Sequence, residues 1–272
     1  MVQAVEVPVR SLPAILLLSA LVPALSAQQP ADRPQDGGTS EVTMRDGGVT
    51  EVLQSIYIPP ILNAPFTAIV HTRWIRPLPE GGTFTLVNQR RVARDSRGRI
   101  YEERWFLVPK DGDQKSRMNV IQVADPSQHT LYNCFTLVTP HRCMMLGFFD
   151  SPTAIYKPDT APAGPLPNGK GSSTHEDLGA QTIAGVETTG TRDVTIMNAG
   201  AYGNDRPYTI SREFWFAKNI GINLQSELTG PRIGKQIFTL TDVSLAEPDP
   251  ALFELPDGYE VVDRRKSTPP AE

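Results

Sequence analysis

Residues 208–217, YTISREFWFA, decide the fold class of this chain. From Tyr208 to Phe216 every second side chain is apolar, and Arg212 is the single exception. Trp215 falls on the other side of the same segment, among polar residues. Because successive side chains of a strand point to opposite faces, this period of two predicts a β-strand.

Similar segments surround this one and are separated by short turns that contain glycine: QTIAGVETTGTRDVTIM (181–197), INLQSELTG (222–230) and KQIFTLTDV (235–243). Apolar stretches with a helical period are scarce, and only two short helices are predicted, around Glu176–Leu178 and Pro250–Phe253. The chain is therefore predicted to be mainly β, with one strongly curved antiparallel sheet and few short helices.

The clearest hairpin of the first half is TFTLVNQRRVAR (83–94), a turn DSRG (95–98) and RIYEERWFLVP (99–109). An Asp at the first turn position and a Gly at the last suit a type I turn. Pairing across that turn places Val92 opposite Tyr101 and Arg91 opposite Glu102, so that opposite charges meet. We interpret these charged pairs as a solvated sheet face rather than a binding site.

The N-terminus predicts export. Residues 11–27 are apolar, follow Arg10 and end in small residues, which is typical of a secretory signal segment cleaved near Ala27; an uncleaved anchor is the alternative. A periplasmic or secreted location follows, and after cleavage we expect no integral membrane segment. The expected organisation is a signal peptide (1–27), a disordered segment (28–50), one β-rich domain (51–263) made of two halves (51–156 and 174–263) joined by a Pro/Gly-rich loop (157–173), and a disordered tail (264–272).

The only two cysteines, Cys134 and Cys143, stand on either side of a Pro-containing turn. If Val138 and Thr139 form the tip of the loop, the two cysteines lie directly opposite each other, and an oxidising compartment favours a disulfide between them. A metal site that includes His141 and a pair of free thiols are the alternatives.

Charge and motifs point to no enzyme class. The chain has 26 basic and 30 acidic residues, without a basic stripe, so no nucleic-acid partner is expected. The motifs HExxH, GxSxG, P-loop and GxGxxG are absent, and we predict no catalytic residue, no metal and no cofactor. The densest polar cluster, His175-Glu176-Asp177, is interpreted as the first turn of a short helix capped by Thr174.

Six segments together resemble a family of uncharacterised secreted bacterial proteins: DSRGRIYEE (95–103), DPSQHTLYN (125–133), EDLGAQTIAGVETTGTR (176–192), GNDRPYTISREFWFA (203–217), SELTGPRIGKQIFTLTDV (226–243) and EPDPALFELPDGYEVVD (247–263). The resemblance spans about Ile58 to Asp263. It implies a LolA-like half-open β-barrel, the fold of periplasmic lipoprotein carriers and of lipid-responsive sigma-factor regulatory sensors. A second Asp-Pro that the family usually carries is replaced near Asn133-Cys134.

Aromatic and aliphatic residues on predicted strands supply the candidate binding site. A curved open sheet either closes on its own side chains or leaves an apolar groove. The groove candidates are Trp74, Phe84, Leu86, Trp105, Leu107, Phe135, Trp215 and Phe238. The hypothesis is a non-enzymatic protein that binds a lipid or an acylated lipoprotein; the alternative is an interaction or sensory module with a closed core, no small-molecule ligand and a protein partner in the cell envelope.

Overall fold

The computed structural model of the chain describes two short strands at 42–43 and 49–50 and the ranges 56–148 and 163–265. The predicted signal segment 1–27 lies outside the described residues, as do most of the predicted disordered segment 28–50 and residues 266–272 of the predicted tail. The proposed domain organisation therefore stays a prediction.

Strands dominate the described part of the chain. They are β1 (Val42–Thr43), β2 (Val49–Thr50), β3 (Phe66–Pro77), β4 (Thr83–Arg94), β5 (Ile100–Trp105), β6 (Val108–Pro109), β7 (Met118–Asp125), β8 (Thr130–Phe135), β9 (Arg142–Gly147), β10 (Gly164–Pro165), β11 (Gly171–Ile183), β12 (Val186–Met197), β13 (Tyr208–Ala217), β14 (Ile222–Gly230), β15 (Gly234–Ser244) and β16 (Glu260–Asp263). The described helices are single 3-10 turns at Pro126–Gln128, Pro167–Gly169 and Pro250–Phe253.

Fourteen of these strands form one curved sheet that does not close, which confirms the predicted fold class. The order is β10-β11-β12-β13-β14-β15-β3-β4-β5-β7-β8-β9-β16, and β6 pairs with β4 beside β5. Neighbouring strands are antiparallel except β16, which runs parallel to β9. Strands β1 and β2 pair with each other in a separate two-stranded sheet.

The two faces of the sheet differ in burial. Along β3 one set of alternate side chains is buried, and the other is half-buried or exposed; the buried set is Phe66, Ala68, Val70, Thr72 and Trp74. We call the face that carries this set, with its register partners on other strands, the inner face, and the opposite one the outer face.

The sheet curves towards its inner face. Arg94 on β4 donates a hydrogen bond to the carbonyl oxygen of Ile220, in the turn after β13, at 2.6 Å. Four strand spacings separate β4 from β13, about 19 Å in a flat sheet, which is beyond the reach of an arginine side chain. We call the part of the inner face around Phe66, Arg94 and Ile220 the closed end, and the part around Trp74, Leu86 and Ile210 the rim.

The main core fills the closed end. Phe66, Val70 and Leu240 of the sheet pack there in one buried apolar cluster with Ile56 and Ile58, which precede β3. Burying each isoleucine contributes about 1.5–3 kcal/mol. The segment 56–65 therefore belongs to the core of the domain and occupies the closed end itself.

A smaller core covers part of the outer face. The connection from β15 to β16 brings Phe253 against Ala93, Tyr101 and Val123. The guanidinium of Arg99 lies 4.6 Å from the ring centroid of Phe253, over its face. This connection places β16 at the far edge of the sheet, next to β9.

The predicted register of the β4–β5 hairpin is wrong by one residue. Val92 pairs with Glu102, and Ala93 pairs with Tyr101. The turn is one residue longer than assumed, because Asp95 N–H donates to the carbonyl of Arg99 while Gly98 N–H donates to the carbonyl of Asp95. Gly98, with φ +79°, is the extra residue of a type I turn with a glycine bulge.

The helix predicted around Glu176–Leu178 is also wrong. These residues belong to β11, which pairs with β12 along its length. Thr174 donates to the carbonyl of Val194 instead of capping a helix. Asp177 instead accepts a hydrogen bond from Gly179 N–H at a bulge, which is how the strand accommodates this charged stretch.

Three further expectations concern local connections. Cys134 and Cys143 pair across β8 and β9, are fully buried and form the predicted disulfide. Within the predicted loop 157–173, residues 163–173 include β10, which pairs with the first residues of β11. The 3-10 turn predicted at Pro250–Phe253 is present and is capped by the side chain of Asp249.

Candidate binding surface on the inner face

One register row crosses eight strands on the inner face. Each strand pair places its partners side by side on one face, so the row can be followed from β11 to β6. Its members are His175, Asp193, Arg212, Leu228, Gln236, Trp74, Leu86 and Pro109. We call this set the inner row.

The centre of the inner row is mainly apolar, and the buried Gln236 on β15 is its one polar side chain. Trp74 and Leu228 are each 8% exposed, and Leu86 is half-buried beside Trp74. The indole N–H of Trp74 donates to the carbonyl of Ile233 at 2.6 Å, so burial of this ring leaves its polar atom satisfied. Phe84, the next inward residue on β4, is 42% exposed. The rim therefore presents apolar surface that the described chain covers only in part.

The β11 end of the inner row is charged. The imidazole Nδ1 of His175 lies 2.7 Å from a carboxylate oxygen of Asp193. Arg212 follows on β13, half-buried between Asp193 and Leu228. Within the described residues, no hydrogen bond or ion pair engages its guanidinium group. The row thus joins a charged end to an apolar centre.

A polar layer lies between the rim and the closed end on the other half of the sheet. Arg90 donates to Glu102 at 3.2 Å, and burial lowers the pKa of Arg90 while Glu102 opposes that shift. Arg104 donates to Gln122 at 2.6 Å, and Gln122 donates in turn to Asn133 at 2.7 Å. Glu102 was predicted to pair with Arg91 on a solvated face, but it pairs with Arg90, and both side chains are largely buried.

The outer face repeats one small arrangement at two places. The indole N–H of Trp105 donates to Glu103 at 2.8 Å, and that of Trp215 donates to Glu213 at 2.9 Å. In each case the glutamate is two residues earlier on the same strand and face. Glu103 also accepts a hydrogen bond from the hydroxyl of Tyr101 at 3.0 Å. The pKa of Tyr101 is raised, mainly by burial and to a smaller extent by the Glu103 carboxylate.

A depression of about 520 Å³ lies mainly on the outer face, beside Trp105. Most of its lining residues are polar or charged, among them His71, Gln89, Arg91 and Asp242. A second depression of about 350 Å³ shares His71 with it. Such polar surroundings suit an acyl chain less well than the rim does.

The eight predicted groove residues fall in different places. Trp74, Phe84 and Leu86 come together at the rim, and Phe135 faces inward on β8. Phe238 is buried in the closed-end core, while Leu107 lies half-buried between β5 and β6. Trp105 and Trp215 face outward, with their glutamate partners. The sequence reasoning missed Arg212 as a site residue, although its place among the apolar positions of β13 was the signal.

His175, Glu176 and Asp177 do not converge. His175 turns inward to Asp193, whereas Glu176 turns outward and accepts from Arg192 at 2.8 Å. Across the described ranges, no group of three or more His, Cys, Asp or Glu side chains is placed to hold a metal ion. No helix in the described part of the chain is long and apolar enough to span a bilayer.

No protein-family model and no curated protein matches this chain. Among solved structures it is similar to MucB (15% identity, 73% of this chain and 60% of that one, TM-score 0.34). It is also similar to LprF from Mycobacterium bovis (12% identity, 69% and 90%, TM-score 0.28). A putative outer membrane lipoprotein-sorting protein domain from Vibrio parahaemolyticus is another match (10% identity, 70% and 89%, TM-score 0.17).

These neighbours match the resemblance suggested by the sequence motifs. The chain spans about 60% of the MucB chain that it matches. At these identities the likeness concerns fold alone, and the function is argued below from the residues of this chain.

Proposed function

We propose that this chain is an exported, non-enzymatic binding protein whose inner face holds the acyl chain of a lipid or of an acylated protein. The observation that carries the proposal is the apolar centre of the inner row. Trp74 and Leu86 lie side by side on β3 and β4 with the exposed ring of Phe84 beside them, and Leu228 on β14 lies on the other side of the buried side chain of Gln236 on β15.

The rim is the part of the inner face that can take such a ligand. At the closed end, Ile56 and Ile58 already occupy the space against Phe66 and Val70. A ligand would therefore lie across the strands at the rim rather than along the axis of the curved sheet. Each methylene buried there would contribute about 0.8 kcal/mol to binding.

Two features support an exported location. The first 27 residues have the pattern of a cleaved secretory signal. The disulfide between Cys134 and Cys143 is the kind of bond that persists in an oxidising compartment. We propose the periplasm or the exterior as the site of action.

The test is a titration of delipidated protein with dodecanoate, followed by calorimetry. Leu86→Asp places a charge at the rim, and Thr85→Asp places the same charge on the outer face one residue away. We expect at least tenfold weaker binding for Leu86→Asp and less than a twofold change for Thr85→Asp. Absence of binding by the wild-type protein, or equal losses in both variants, would contradict the proposal.

A second candidate function, recognition of a protein partner, is supported by the edge of the sheet at β11. Within the described residues, β10 pairs only with Ser172 and Ser173 of β11. The backbone N–H and C=O groups of residues 174–183 on that edge are therefore open to pairing with a strand of another protein. A photo-crosslinker at Gln181 on this edge, compared with one at Thr239 in the middle of the sheet, tests it. Crosslinks to one envelope protein at Gln181 alone would support strand addition, and equal labelling would oppose it.

A further inference from the structure

We infer that Arg212 binds the headgroup of the ligand, and that the ligand is a fatty acid or another amphiphile with a single carboxylate. This inference rests on the proposed function and specifies its ligand class. It concerns the junction in the inner row where the charged end meets the apolar centre.

The position of Arg212 sets up this role. Its register partners are Asp193 on β12 and Leu228 on β14, and all three side chains face inward. Ile210 and Phe214, two residues away on the same strand, flank it on the same face and are half-buried. The guanidinium therefore stands at the border of apolar surface, where water competes less strongly for its N–H groups.

Three other inward-facing arginines are used by the protein itself. Arg94 donates to three backbone carbonyls, Arg90 to Glu102, and Arg104 to Gln122. The guanidinium of Arg212 has five N–H donors and can bind a carboxylate through two parallel hydrogen bonds. Within the described chain, none of these donors is taken.

The local charge favours a monoanion. Asp193 lies next to Arg212, and its carboxylate is already bound to His175. A dianionic phosphate would meet repulsion from Asp193, whereas one carboxylate can be matched by the one guanidinium. The structure therefore favours a carboxylate over a phosphate headgroup.

The geometry also fits the tail of the ligand. Three strand spacings separate Arg212 from Trp74, and four separate it from Leu86, which is about 14 Å and 19 Å across a sheet. A carboxylate at Arg212 allows an extended acyl chain to cross Leu228 and the buried Gln236 and reach the Trp74 ring. Headgroup and tail thus follow one row of side chains.

The experiment compares three probes of equal chain length: dodecanoate, 1-dodecanol and dodecyl phosphate. Wild-type protein should bind dodecanoate at least tenfold more tightly than dodecanol, since the carboxylate accepts charge-assisted hydrogen bonds from the guanidinium and the alcohol does not. Arg212→Gln should reduce that preference to less than about twofold and leave dodecanol binding unchanged. Arg73→Gln, on the exposed outer face, is the control and should keep the preference.

The outcomes separate the inference from the function on which it rests. Equal binding of dodecanoate and dodecanol by the wild type would overturn the role of Arg212 and leave acyl binding intact. A stronger preference for dodecyl phosphate would overturn the carboxylate assignment. Arg142 is an inward-facing arginine on β9. If Arg142→Gln lost the preference for dodecanoate and Arg212→Gln kept it, the headgroup would bind at β9 and the role assigned to Arg212 would be wrong. Failure of all three probes would contradict the proposed function itself.

Discussion

Arg94 connects three parts of the chain through one buried guanidinium. It is 0% exposed and donates to the carbonyl oxygens of Pro59, Ala64 and Ile220 at 2.6–2.9 Å. Burial lowers its pKa to about 10, so the group keeps its charge at neutral pH. The charge is satisfied by carbonyl dipoles and by the ring of Phe66, 5.2 Å away.

Replacement of Arg94 by methionine should lower the free energy of unfolding by about 3 kcal/mol, because buried carbonyl oxygens would lose their donors. Urea unfolding measures this change. Arg97→Met is the matched control, since Arg97 is 69% exposed, and it should change stability by less than about 0.5 kcal/mol. A similar small effect for both variants would show that Arg94 does not hold the segment 56–65 in place.

Tyr101 predicts a pH dependence. Burial and then the Glu103 carboxylate raise its pKa, so the folded protein keeps this proton when the unfolded chain loses it. Stability from Tyr101 is therefore complete below the ordinary tyrosine pKa of about 10 and declines as pH rises above it. The stability difference between wild type and Tyr101→Phe should narrow from pH 9 to pH 11 in urea titrations. A constant difference would contradict the raised pKa.

Single residues also mark the limit of the sequence reasoning. The alternation from Tyr208 to Phe216 predicted the strand, its two faces and the exceptional position of Arg212. It also placed Trp215 on the polar face, but it did not reveal that the indole N–H groups of Trp105 and Trp215 donate to glutamates, because a period of two gives the face of a side chain and not its hydrogen-bond partner. The pairing of Cys134 with Cys143 was predicted on the assumption that Val138 and Thr139 form the tip of the loop, and the observed register agrees with it.

At the scale of elements, the turn from Asp95 to Arg99 determines how β4 meets β5. The peptide N–H of Arg97 and the peptide N–H of Arg99 each donate a hydrogen bond to the carboxylate of Asp95, which is almost fully buried. Gly98 then takes a positive φ of 79°. The sequence predicted the hairpin but not its register, because DSRG suits both a two-residue loop and a three-residue loop with a bulge.

The substitution Gly98→Ala should destabilise the protein more than Gly185→Ala, by about 1 kcal/mol. Both glycines have φ near +80°, but a Cβ at Gly98 would lie 3.1 Å from the carbonyl oxygen of Pro60, whereas one at Gly185 meets nothing within 4 Å. Thermal unfolding of the two variants gives the comparison. Equal losses of stability in the two variants would mean that the segment 56–65 shifts to accommodate the new methyl group at position 98.

For the whole molecule, the sheet combines a filled closed end with a rim that is apolar and partly uncovered. Periodicity predicted the strands and the curved sheet. It could not predict which strands meet across the curve, since the order β15-β3 joins segments far apart in the chain. The inner row follows from this order, because its members come from eight different strands.

The central claim is that an acyl chain lies on the inner face at the rim. The most direct measurement is photo-crosslinking of a diazirine-bearing fatty acid to the purified protein, with the modified residues mapped by mass spectrometry. The account predicts labels on inward-facing rim residues such as Ile210, Leu228 and Leu86. Labels confined to the outer face, at Ile237 or in the depression around His71 and Trp105, would contradict it.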